Sequence, residues 1–247
     1  MHSILLLLFF CTSAFANTAH HPKQQKWSFD GIFGKFDTAS VQRGFKVYRE
    51  VCSACHSVKR ISFRNLTEIG FSAGEAKTIA NEYQIHDGPN DEGEMFDRNG
   101  KIFDYIPGPY KNDNQAKAAN GGAIPPDLSL IIKARHDGAN YVYSLLTGYQ
   151  KPPENIIINA GMYYNPYFSG GQIKMTPPLS SDGQVTYQDE TVATVDQMSK
   201  DVVNFLQWAA EPEMQKRKSM GLKVMIFLIL MTIIFYIAMK QIWRDIT

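Results

Sequence analysis

Cys52, Cys55 and His56 stand together in the stretch "EVCSACHSVKR", two thiols three residues apart with an imidazole directly after the second. Three chemistries use cysteines so spaced. A zinc site needs about four Cys or His ligands, and no cysteine follows Cys55. A thioredoxin-like redox pair requires a Cys-x-x-Cys near a βαβ pattern, which the chain lacks. The third is covalent haem: the two cysteines form thioethers with the haem vinyl groups, and the adjacent imidazole becomes an axial ligand to iron. The motif occurs once, so one haem c is expected, on Cys52, Cys55 and His56.

The second axial position decides what such a haem does. Left open, it binds oxygen species or substrate; filled by Met, it makes an electron carrier of raised potential. Between the N-terminal apolar segment and the C-terminal apolar tail the candidates are Met95, Met162, Met175, Met198, Met214 and Met220. Met198 falls on an apolar helix face, Met214 and Met220 adjoin the tail, and Met95 sits among acidic residues. Met162 and Met175 remain. Met175, in "GGQIKMTPPL", is followed closely by Pro177 and Pro178, whose fixed φ angles restrict the chain. On the residues alone both methionines stay open. His86 and His136 are rival ligands, each next to an Asp-Gly pair that also reads as a solvated turn.

The elements that must position these groups are mainly helical. Asp37 can cap a helix through "TASVQRGFKVYREVC", in which Val41, Phe45, Tyr48 and Cys52 recur at helical spacing and deliver the first thiol. Ser72 and Glu75 form a capping box with Phe71 just before it. Asp127 can cap a helix through "LSLIIKAR", and a helix through "NYVYSLLTG" can end at Gly148. Thr194 and Gln197 form a second box, ahead of a helix whose apolar face is Met198, Val202, Phe205, Leu206 and Ala209. Long Gly-, Pro- and Asn-rich loops fill residues 84–126 and 149–193, with no repeats and no clear alternating strands. The fold class expected is mainly α, a cytochrome c-like haem domain with long loops plus one C-terminal transmembrane helix. Haem supplies apolar surface that a loop-rich chain would otherwise lack.

Residues 1–16 read as a signal peptide, with an apolar run and small residues at Ala14 and Ala16. Cys11 would leave with it, so no cysteine remains for a structural disulfide. Residues 17–219 form the exported haem domain, 220–242 the transmembrane anchor and 243–247 a short cytoplasmic-side tail. No charge occurs over 224–239, and Lys223 and Lys240 can extend this run by snorkelling. Lys216, Arg217, Lys218 and Lys223 before the span outnumber Lys240 and Arg244 after it. A positive-inside count would put the head in the cytoplasm. The signal peptide argues the reverse, and the haem domain is expected on the periplasmic or intermembrane-space side. The net charge of +1 carries no nucleic-acid signal. No nucleic-acid partner is expected; membrane lipid is.

Read together, "CSACHS", "PPDLSLIIKARHDGANYVYSLLTGY", "NPYFSGGQIKM" and "DVVNFLQWAAEPE", followed by "RKSMGLKV" and the apolar tail, resemble the cytochrome c1 family of the cytochrome bc1 complex (respiratory complex III). The likeness runs in order over nearly the whole chain after residue 16. It implies Met175 as the second axial ligand of iron and Arg135 beside a haem propionate. It implies an electron-transfer subunit, a part of a quinol–cytochrome c reductase rather than an enzyme alone, whose partners are cytochrome b, the Rieske iron–sulfur protein and soluble cytochrome c. The haem would take electrons from the Rieske protein and give them to the soluble cytochrome. The acidic stretch with Asp87, Asp91, Glu92, Glu94 and Asp97 reads either as a solvated loop or as a docking surface for that basic partner. The alternatives are a self-standing membrane-anchored cytochrome c, with a short core and a flexible linker, and a c-type haem peroxidase with an open sixth position.

Overall fold

The computed structural model describes residues 19–244. The expected signal peptide, Cys11 and residues 245–247 lie outside the described residues. In chain order the helices are α1 (Thr38–Glu50), α2 (Ala73–Asn81), α3 (Asp113–Ala119), α4 (Gly138–Leu146), α5 (Val195–Ala210) and α6 (Met214–Arg244). Two short antiparallel ladders pair β1 (Gln84–Asp87) with β2 (Phe96–Asn99), and β3 (Tyr163–Tyr164) with β4 (Gln172–Ile173). The fold is mainly α. The ladders went unseen in the sequence because strands of four and two residues, mostly solvated, are too short to print an alternation.

The caps form where the sequence places them. The Asp37 carboxylate accepts from the Ala39 and Ser40 N–H groups at 3.1 and 3.4 Å. The Ser72 hydroxyl accepts from Glu75 N–H while the Glu75 carboxylate accepts from Ser72 N–H, a full capping box. The second box closes on one side only: Thr194 Oγ1 accepts from Gln197 N–H at 3.0 Å, but the Gln197 amide donates to Asp201 instead.

The core lies between α1 and α5. Phe45 and Tyr48 of α1 meet Phe205 of α5 at 5.4 and 5.5 Å between ring centroids, and Val41, Met198 and Val202 fill the same layer. Gly44 allows the crossing. A Cβ there would stand 1.9 Å from the Asp201 carbonyl oxygen, so only glycine lets the two backbones approach this closely. Asp201 is fully buried and accepts from Ser40 Oγ (2.6 Å), Arg43 Nε (3.0 Å) and Gln197 Nε2 (3.1 Å).

The helix expected through "LSLIIKAR" is instead a run of turns. Asp127 caps it, accepting from Ser129 N–H at 2.9 Å. Its other oxygen is held by Ser57 Oγ and Lys59 N–H at 2.7 and 2.9 Å, which ties the segment to another part of the chain. The Leu130 carbonyl then accepts from both Lys133 and Ala134 N–H, so no regular ladder of α-helical bonds propagates. α4 starts at Gly138, earlier than expected, and Gly148 lies one residue past its cap at Thr147. That glycine serves close packing: a Cβ there would meet Tyr167 at 2.5 Å.

α6 runs for 31 residues, about 46 Å at 1.5 Å per residue. Met214 at its start is buried under the head. Its apolar stretch is not buried against any part of the described chain, unlike the core helix of a soluble protein. Its length and composition suffice to cross a bilayer, and the helix is continuous across the boundary at 219–220 expected between head and anchor. Only residues 211–213 separate it from α5.

Candidate functional site

α1 carries the chain to Val51, and a single 3-10 turn at Cys52–Ala54 follows. The Cys52 carbonyl accepts from both Cys55 and His56 N–H, at 3.1 and 2.9 Å. That tight turn brings the two thiols and the imidazole of "CSACH" to one place. Cys52 is partly buried against the core, Cys55 is exposed and His56 is half-buried. Burial pushes the Cys52 thiol up to about 12. The free thiol is therefore neutral, and a thioether there loses no ionic interaction. Tyr48 OH donates to the His56 carbonyl at 3.1 Å, which holds the turn from the α1 side.

The ring of His56 is set by the opposite wall. Its Nδ1 lies 2.8 Å from the Pro126 carbonyl. A carbonyl only accepts, so Nδ1 carries the proton and Nε2 keeps its lone pair. Burial lowers the His56 pKa, with the Pro126 carbonyl and Asp127 pulling the other way, and the ring stays neutral. A neutral imidazole with Nδ1–H on a backbone carbonyl is the usual form of a metal-bound histidine. Asp127 fixes this wall through Ser57, Lys59 and Ser129. Burial alone would raise its carboxyl pKa, but those bonds outweigh burial and hold it below its ordinary value.

Met175 follows β4 by two residues and Met162 directly precedes β3. Tyr163 pairs with Ile173, so both candidate methionines leave the same end of one ladder, and both are half-buried. Their backbones are held differently. The Met175 carbonyl accepts from Tyr149 OH at 3.0 Å, and burial keeps that phenol protonated by pushing its pKa up. Lys174 Nζ donates to the Gly121 carbonyl. Met162 is held through its N–H, which donates to the Asn159 carbonyl at 3.0 Å. One connecting loop, 120–127, thus grips the histidine segment at Pro126 and the Met175 segment at Gly121. Arg135 is exposed, and Nη1 bonds only the neighbouring Ala134 carbonyl, at 3.0 Å.

The rivals sit elsewhere. His86 is on β1 with Nδ1 at 2.9 Å from Asp97, His136 is in an exposed turn, and Met198 is fully buried in the core. Among the described residues no group of three or more His, Cys, Asp or Glu gathers to hold an ion. The donor set is one oriented imidazole with two thiols, and it fits a haem. Apolar side chains on the same segments are left open: Ile124 is 44% exposed, and Leu130 and Tyr163 are 39% exposed. Singly such residues need no account, but these three lie on the segments that carry or flank the candidate ligands, where a flat apolar macrocycle would cover them. Sequence reasoning missed Tyr48, Tyr149, Pro126 and Lys174 as supports. The Pro-Pro pair at 125–126 was a visible mark of a stiff wall; nothing local marked the two phenols.

The acidic stretch is the β1–β2 turn. Arg98 binds Asp87 and Asp104 and His86 meets Asp97, which leaves Asp91, Glu92 and Glu94 exposed at its tip.

A family model described as the Cytochrome C1 family matches residues 27–246. "Cytochrome c1 2, heme protein, mitochondrial" of Arabidopsis thaliana is 53% identical over 220 residues, 88% of this chain and 71% of that protein. "Cytochrome c1" of Rhodospirillum rubrum is 48% identical over 239 residues, 90% of this chain and 88% of that protein. "Cytochrome b-c1 complex catalytic subunit, mitochondrial" of Candida albicans is 53% identical over 209 residues, 84% of this chain and 72% of that protein. With a family match from Trp27 almost to the C-terminus, and a thiol–imidazole turn of the kind such proteins need, this membrane-anchored chain belongs to the cytochrome c1 family, a family of haem c proteins.

Proposed function

We propose that this chain is the haem c subunit of a cytochrome bc1 complex. One haem would be held by thioethers to Cys52 and Cys55, with His56 and Met175 as the residues that would bind its iron and Arg135 as the residue that would pair with a propionate. The chain takes electrons from the Rieske iron–sulfur protein and delivers them to a soluble cytochrome c, with cytochrome b as its neighbour in the membrane. The head lies on the periplasmic or intermembrane-space side. The observation that carries the reading is the loop 120–127, bonded to His56 Nδ1 through Pro126 and to Lys174, next to Met175, through Gly121. A carrier needs both axial ligands held in place through each change of charge, and one stiff strap on both segments supports that.

The bound haem supplies a one-electron couple whose potential a Met/His pair raises. The protein's own part is to keep the His56 ring neutral and oriented, to pin the Met175 backbone through Tyr149, and to surround the group with apolar side chains. The Candida albicans relative's name places that protein in a b-c1 complex. A self-standing carrier on a flexible stalk is disfavoured by the connection from α5 to α6. Glu211 in the joint binds Lys133 and Arg217, and Lys218 reaches back to the Phe29 and Gly31 carbonyls at 2.6 and 2.7 Å.

The test is purification in mild detergent, followed by denaturation. One haem that survives denaturation on the polypeptide, with a b-type cytochrome and an iron–sulfur protein in the same fraction, is expected. A haem that extracts into acid acetone would end the covalent assignment. A chain that elutes without either partner would end the assignment to a complex.

A further inference from the structure

The loop at residues 27–36 takes no part in the site above. It is a closed, bonded turn. Asp30 N–H donates to the Trp27 carbonyl at 3.1 Å, Trp27 N–H to the Asp30 carboxylate at 3.0 Å, and Lys35 N–H to the Ser28 carbonyl at 2.8 Å. The Trp27 and Phe29 rings stack at 5.5 Å and are buried. Its tip differs: Ile32 and Phe33 are 71% and 76% exposed. A single exposed apolar residue needs no account. Two adjacent ones, held out by a turn whose other large apolar groups are packed inward, are covered by none of the described residues.

The turn's position indicates what covers them. Lys218, in the second turn of α6, donates Nζ to the Phe29 and Gly31 carbonyls at 2.6 and 2.7 Å, so the loop is fastened to the helix itself. Lys218 precedes Met220, where the apolar span is expected to begin, by two residues, about 3 Å of helix rise. The headgroup zone on each side of a bilayer is about 5–8 Å deep, from a total thickness of ~40–45 Å around a ~30 Å core. The fastening point therefore falls at the depth of the headgroups. Lys35 is exposed on the loop itself, two residues after Phe33, and Lys216, Arg217 and Lys223 are exposed on the first turns of the helix. Exposed apolar side chains together with basic residues, at the level where a helix enters the bilayer, are the composition of an interfacial membrane contact.

We propose that Ile32 and Phe33 insert into the headgroup–acyl boundary of the bilayer that α6 spans, giving the head a second attachment to the membrane beside its anchor. The inference rests on α6 crossing the membrane and is independent of the haem assignments. One helix alone leaves the head free to tilt about its point of entry. A lipid contact at the side of that point removes the freedom.

The test uses the full haem-loaded chain in nanodiscs of phosphatidylcholine and phosphatidylglycerol, with the iron kept ferrous. Single variants Ile32→Cys and Phe33→Cys carry a nitroxide, and electron paramagnetic resonance saturation compares access by oxygen with access by a water-soluble nickel chelate. Val192→Cys, on an exposed part of the head, gives the aqueous reference, and Ile234→Cys in α6 the buried one. An unchanged haem absorbance shows that each variant is folded. The expected oxygen-to-nickel ratio at 32 and 33 is several-fold above that at 192 and below that at 234. Ratios at 32 and 33 equal to that at 192 overturn the proposal. Labels open to nickel in nanodiscs but shielded once other subunits are co-purified also overturn it, and assign the tip to a protein neighbour. If 234 itself is open to nickel, the helix has not inserted, and the membrane reading fails before the loop is in question.

Discussion

Two carboxylates organise the two halves of the head. Asp201 is fully buried where α1 crosses α5 and gathers Ser40, Arg43 and Gln197. Asp127 is only half-buried and gathers Ser57, Lys59 and Ser129 from segments far apart in sequence. Around Asp201 the chain is helical, and rings and aliphatic groups pack against one another. Around Asp127 it is turns and straps, with Ile124, Leu130 and Tyr163 facing outward. The helical half completes its own core. The loop half builds the frame of a core and leaves open the apolar side chains that the proposed haem would cover.

The strongest test of that contrast removes the haem. In Cys52→Ser/Cys55→Ser no covalent haem forms. Amide protection should then be lost over residues 110–178 and kept in α1 and α5, as read by hydrogen exchange. Equal loss in both halves would erase the distinction. Asp201→Ala attacks the other side. Removing one partner of a buried ion pair costs about 3–5 kcal/mol, so the denaturant midpoint should fall sharply with the slope unchanged. Asp127→Ala should cost less in global stability and instead shift the haem potential, because it frees the wall that orients His56.

The proposed axial pair is sharper still in what it separates. Met175→Leu should lower the potential and admit carbon monoxide, while Met162→Leu should do neither. An exchange of those outcomes would move the ligand to the other side of the β3–β4 ladder. The smallest effect is expected at the β1–β2 tip. Asp91→Asn, Glu92→Gln and Glu94→Gln together should slow reduction of a basic soluble cytochrome c at low salt and flatten its salt dependence. Screening already acts at ~0.1 M, where the Debye length is about 10 Å. Stopped-flow traces with identical salt slopes would make the tip a mere solvated turn. The hairpin carrying it also has an acid limit. Arg98 holds the Asp87 and Asp104 carboxyls below their usual range. The support these pairs give is whole above about pH 4, the ordinary carboxylate pKa, and is lost as pH falls through their depressed values. Amide exchange of β1 and β2 along a descending pH series reads this directly.

What could be read from the sequence follows the same division. The caps at Asp37 and Ser72 and the buried face of α1 and α5 are local and periodic, and the structure has them where the residues indicate. The Cys52–His56 turn was legible because its chemistry is contiguous. Its supports were not: Tyr48, Pro126 and Tyr149 act through single long-range hydrogen bonds, which have no period. The turns at 128–137 misled for a related reason. Their spacing is helical, but Asp127 is committed to Ser57 and Lys59, and that tertiary bond outweighs local propensity. Met162 and Met175 could not be separated by spacing because they emerge from one ladder only two residues deep.

The unbroken run of α6 from a buried Met214 has a consequence for azimuth. An α-helix turns 100° per residue, and here the head is keyed to the first turns of the shaft that enters the bilayer. Inserting one residue between Lys218 and Met220 would swing the head by roughly 100° about the membrane normal while lifting it only about 1.5 Å. The length of this short stretch is thus a compass setting. It fixes which side of the head faces any neighbour confined to the same membrane plane, and a chain altered there could keep every bond of its redox site yet point it the wrong way.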